Sequence, residues 1–209
     1  MKKAPIIILL FISFSVLYSK YNFTDILHKT FFEVKTNYDF LDDHKFSGTD
    51  SLYPGSGDAT DALSFSLELF YNISRLSLGG GITYQIPVYH EALGDFHFIP
   101  VYWLAKIRIF GKEENFSTYL LYNYGKNYHQ GSFNYTRGSE LKDGKYRAFG
   151  IGLAFGRYFV LELSKKSNTG ERANEELNNK IYNMDVDYST ISLSIGVKND
   201  ISQFFKNYY

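Results

Sequence analysis

The sequence predicts an all-β protein, an eight-stranded antiparallel up-and-down transmembrane β-barrel. Three observations predict it. Long segments alternate bulky apolar side chains with small or polar ones, the period of two that a strand imposes. The connections between those segments sort into short and long. The first residues read as an export signal. The clearest alternation is Phe149-Gly150-Ile151-Gly152-Leu153-Ala154-Phe155-Gly156. Its large residues share one face, and its other face is only Gly and Ala. A water-facing strand surface carries Lys, Glu and Thr; residues as small as these suit a crowded lumen, with the bulky face turned to lipid.

Composition narrows the choices. The chain has 209 residues, enough for one domain, with 19 Tyr, 19 Phe, one Trp and no Cys. Many tyrosines suit a protein that places amphipathic rings at a membrane–water interface. The lack of Cys excludes a lipid-modified N-terminal cysteine. Lys plus Arg equals Asp plus Glu at 22 each, and the leader would remove Lys2 and Lys3, so no excess of positive charge argues for nucleic acid. A mean hydropathy of −0.24 is ordinary for a membrane barrel, because half of each strand faces a polar bore.

Residues 1–19 read as a signal peptide: Lys2 and Lys3 start it, the apolar run through Val16 forms its core, and Ser19 offers a small cleavage residue. Residues 20–200 are assigned to the barrel and 201–209 to a periplasmic tail. Lys20–Lys29 reads as irregular or a short helix. Strand one is expected at about Thr30–Phe40, with Glu33 and Lys35 on its minor face. Asp39–Asp61 reads as a long loop with turn chemistry at Tyr53-Pro54-Gly55. Strand two, Ala62–Ile73, sets Leu63, Phe65, Leu67 and Leu69 against Ser64, Ser66 and Glu68. Strand three, Leu76–Val88, turns Leu78, Ile82, Tyr84 and Ile86 outward. Its Gly79-Gly80-Gly81 reads as close strand contact or a bulge, since no Lys-Ser/Thr follows to make a phosphate loop.

Strand four, Phe96–Phe110, places Val101, Trp103, Ile107 and Ile109 opposite Lys106 and Arg108. Strand five is Phe116–Lys126, and Asn127–Lys145 reads as a long polar loop. Strands six and seven form a hairpin within about Tyr146–Lys166, turning at Gly156-Arg157. Ser167–Met184 reads as another long loop, and strand eight spans Asp185–Lys198. The apolar spacing of Ile201–Tyr209 suits a short helix at the periplasmic surface. With the N-terminus on the periplasmic side, every short turn falls there and every longer loop outside.

Strand parity puts Glu33, Lys35, Glu68, Lys106, Arg108 and Glu162 in the bore. Three acids meeting three bases predict an ion-pair network, because an unpaired charge in a narrow low-dielectric lumen is very costly. Two aromatic girdles are expected, with Tyr71, Phe110, Phe116, Phe155 and Tyr158 at the periplasmic interface and Tyr38, Tyr84, Tyr124 and Tyr146 at the outer one. The five His, at 28, 44, 90, 97 and 129, show no zinc-motif spacing. No catalytic set, metal site or cofactor is expected.

The pattern over nearly the whole mature chain resembles the OmpA/OmpX class of small outer-membrane barrels. That class usually ends its last strand in an aromatic residue; here Gly196-Val197-Lys198-Asn199 does not, and Phe204, Phe205 and Tyr209 come later. A second, local resemblance is Lys165-Lys166-Ser167-Asn168-Thr169-Gly170, similar to the His-x-Ser-Asn segment of lipid A 3-O-deacylases, which are also eight-stranded barrels. It implies Ser167 as a nucleophile and places Lys165 where that family has its general-base His. A Lys serves as a base only with a strongly lowered pKa. The sequence therefore reads first as a non-enzymatic surface or envelope protein, with outer-membrane lipid and the barrel-assembly machinery as partners and an extracellular ligand met by the outer loops. The alternatives are a deacylase-like hydrolase or a narrow ion channel.

Overall fold

The computed structural model describes residues 23–48, 55–56, 61–86, 88–90, 94–112, 115–132, 140–142, 144–156, 158–177 and 180–202. The expected signal peptide, and the tail beyond residue 202, lie outside them. A short helix, α1 (Phe23–Lys29), leads into β1 (Thr30–Gly48). There follow β2 (Gly55–Ser56), β3 (Ala62–Ile73), β4 (Leu76–Gln85), β5 (Val88–His90) and β6 (Gly94–Gly111). The rest are β7 (Phe116–Ser132), β8 (Glu140–Lys142), β9 (Gly144–Phe155), β10 (Phe159–Leu177) and β11 (Lys180–Asp200).

Eight of these strands, β1, β3, β4, β6, β7, β9, β10 and β11, pair antiparallel in chain order, and β11 closes on β1. This is the closed up-and-down barrel that the alternation predicts. Closure leaves the ladder without a free edge, the condition for burying a sheet in lipid. The short strands decorate the wall, β2 on β1, β5 on β6 and β8 on β10.

The two faces divide by residue parity. Along β3, Leu63, Phe65, Leu67 and Leu69 are 44–52% exposed, whereas Ser64, Ser66, Glu68 and Phe70 are buried. The same inversion runs round the cylinder: Val101, Trp103, Ile151, Leu163, Leu193 and Ile195 look outward, while Lys106, Ser164, Ser192 and Ser194 look inward. Water would not tolerate so continuous an apolar surface on a monomer.

Three expected loops are largely strand. β1 runs on to Gly48 and β7 to Ser132, and the hairpin of β10 and β11 stays paired as far as Leu177↔Lys180. Polar composition there marks the end of lipid contact, and backbone pairing does not need an apolar face. The opposite end is tight. Ser74-Arg75 joins β3 to β4, Gly111 takes φ 81° at the start of the β6–β7 turn, and Gly156 takes φ 61° after β9. Helix α1 sits at this end against β1, β3 and β11, where His28 Nδ1 lies 3.5 Å from an Asp200 carboxylate oxygen and 3.0 Å from Ser202 Oγ.

One stretch of wall is thinner. The β4–β6 ladder covers Leu76–Ile82 against Val101–Ile107. The next residue of β6 is Pro100, which has no N–H to give.

Glycines make room for rings. Gly152 stands opposite Tyr119 and Gly81 opposite Tyr102. A Cβ on Gly152 would run into the Tyr119 ring, and one on Gly81 would stand 2.8 Å from Tyr102. Replacing Gly152 with Val should therefore lower unfolding stability in lipid vesicles by about 1–3 kcal/mol, the usual cost of overpacking. Ile151→Val on the lipid side of the same strand should change it far less; equal losses would contradict the inward placement of Gly152.

Candidate functional site

The bore narrows around five charged side chains from four strands: Glu33 and Lys35 of β1, Glu68 of β3, Lys106 of β6 and Glu162 of β10. All are nearly inaccessible, at 1–5% exposure. Lys35 Nζ donates to Glu68 Oε1 at 2.7 Å and to Glu162 Oε2 at 2.6 Å. Lys106 Nζ contacts Glu33 Oε2 and lies 3.0 Å from both Glu68 Oε2 and Glu162 Oε1. Two phenols complete the carboxylates: Tyr102 Oη donates to Glu68 Oε1 at 2.9 Å, and Tyr119 Oη to Glu162 Oε1 at 2.7 Å. Each ammonium thus bridges at least two carboxylates, the geometry a buried ion cluster needs to offset desolvation.

The chain of polar contacts continues toward the long-strand end. Tyr102 meets Thr83, Thr83 meets Ser66, and Asn37 Nδ2 donates to Ser66 Oγ and Ser64 Oγ. Ser64 Oγ donates to Asp39 Oδ2 at 2.9 Å, and Lys166 Nζ closes the run on Asp39 Oδ1 at 2.8 Å. Asp39, Lys166, Tyr102 and Tyr119 were not singled out in the sequence. Asp39 shares the parity of Glu33 and Lys35, and Lys166 that of Glu162, so counting by twos to the ends of those expected strands would have found them.

Arg108 departs from the expected network. It sits half-buried at the short-turn mouth and donates to the Ser74 carbonyl across the β3–β4 turn. It shares that vestibule with Glu33, Phe70, Arg75, Lys106 and Lys198. Proximity to the β6–β7 bulge at Arg108/Phe110 explains the difference, because the strand there leaves regular register. The Lys198 ammonium lies 4.4 Å from the Phe31 ring centroid, and Lys106 lies 5.0 Å from that of Phe70.

The carboxylates of Glu33, Glu68 and Glu162 come close enough to hold a cation, their nearest oxygens lying within 4.8 Å of one another. The Lys106 ammonium touches all three, and so stands where a metal ion would.

Of the expected girdle residues, Phe110, Phe116, Phe155 and Tyr158 are exposed near the short-turn end, and Tyr71 is half-buried. Near the other end, Tyr38 and Tyr84 are exposed and Tyr124 is half-buried. Tyr146 is a correction. It is 2% exposed inside the barrel, its ring centroid 5.0 Å from that of Tyr102. It has the parity of Ala148, Gly150 and Gly152, so the alternation that turns Phe149 outward turns Tyr146 inward.

Ser167 and Lys165 share an outward face of β10. Ser167 Oγ donates to Asp187 Oδ1 at 3.3 Å, and Lys165 is exposed. The expected loop histidines His44, His90 and His129 have side chains outside the described residues, while His97 lies 5.5 Å, ring to ring, from Tyr84.

No protein-family model matches the chain, and no curated protein matches it in sequence. Solved structures do match in shape. The outer membrane protein OprG of Pseudomonas aeruginosa superposes over 84% of this chain and 99% of its own, with a TM-score of 0.59 at 13% identity. The outer membrane protein AlkL, solved in lipid bilayers, superposes over 82% of this chain and 90% of its own, with a TM-score of 0.56 at 10% identity. The chain has the fold of small outer-membrane β-barrels. At such identities it is the cylinder that is shared.

Lys106→Met leaves three carboxylates around one ammonium. It should destabilise the folded barrel by about 3–5 kcal/mol, the cost of breaking a buried pair from one side. Denaturant titration in vesicles checks this; a loss under about 1 kcal/mol, the scale of an exposed pair, would mean the cluster is wet.

Proposed function

We propose that this chain is an integral outer-membrane protein that acts without catalysis: a sealed cylinder that anchors long surface hairpins for contact with extracellular ligands or other envelope components. The observation that carries it is the Lys106 ammonium among three carboxylates, in a bore otherwise occupied by side chains. Eight strands enclose an interior just wide enough for side chains to fill, which suits an anchor and leaves no path for a diffusing solute. The apolar outer wall supports a bilayer home. Outer-membrane lipid and the barrel-assembly machinery are its expected partners there.

The strand hairpins support the same reading. β10 and β11 project together well past the girdle level, a stiff paired stalk where a plain loop would be floppy. Stiffness lowers the entropy lost when a partner is bound.

One paired experiment tests this against the channel and hydrolase alternatives. Purified barrel in planar bilayers should give no single-channel steps, and cells carrying Ser167→Ala should show the same envelope-lipid mass profile as wild type. Discrete conductance would establish a gated path through the ion cluster. An acyl-chain difference on losing Ser167 would establish the enzyme.

A further inference from the structure

We draw no further inference here: the strongest candidate, the cluster of buried amide and hydroxyl side chains in the long-strand half of the bore (Gln85, Asn123, Asn127, Asn168 and Ser192), each with a polar atom that lacks a hydrogen-bond partner among the described residues, carries nothing, because nothing in the structure shows what would occupy the space beside it.

Discussion

Charge in a narrow, dry bore is the constraint that the rest of this structure obeys. Glu33, Lys35, Glu68, Lys106 and Glu162 arrive from four strands and meet within hydrogen-bond distance. Removing any one would leave a partner stranded in low dielectric. The cluster therefore fixes register. A one-residue slip of β3 would turn Glu68 into lipid and Leu67 into the bore at a stroke. Interstrand backbone hydrogen bonds close the cylinder, but they are the same in any register. The ions say which register is right.

The same constraint explains the small residues. Tyr102 and Tyr119 must reach across to Glu68 and Glu162, and their rings lie where neighbouring side chains would be. Gly81 and Gly152 vacate that space. On the outside nothing is so particular. Leu, Ile, Val and Phe interchange there because lipid asks only for apolar area. The protein is thus specified from within by polar and ionic contacts, where a soluble domain is specified by an apolar core.

Much of this was legible in the residues. Period-two alternation located all eight wall strands, and the short-turn end followed from spacing. Glu33, Lys35, Glu68, Lys106 and Glu162 share the inward parity, so their convergence needed only closure of the barrel. Other features were hidden for physical reasons. Tyr146 looked like a girdle residue because aromatic residues crowd strand ends, although its parity with Ala148 pointed inward. Asp39 and Lys166 stand at the last positions of expected strands, next to polar stretches read as loops, and their parity was not followed that far. The strand extensions to Gly48, Ser132 and Leu177 are largely polar in sequence and lack the apolar alternation that marked the rest of the wall. Arg108 has the right parity, but it lies beside a bulge, which alternation does not register.

The central claim is that oily side chains face lipid and charged or small ones fill the lumen. With no native cysteine, single nitroxide labels test it directly. Leu67→Cys, Leu163→Cys and Ile195→Cys mark the outside, and Ser164→Cys and Ser192→Cys the inside, each folded in vesicles. Collision with oxygen, which dissolves in lipid, should dominate at the first three sites, and a water-soluble nickel chelate should be excluded there. The two inner sites should report immobilised labels that neither reagent reaches. Free access of the nickel chelate to Leu67 and Ile195 would contradict the account.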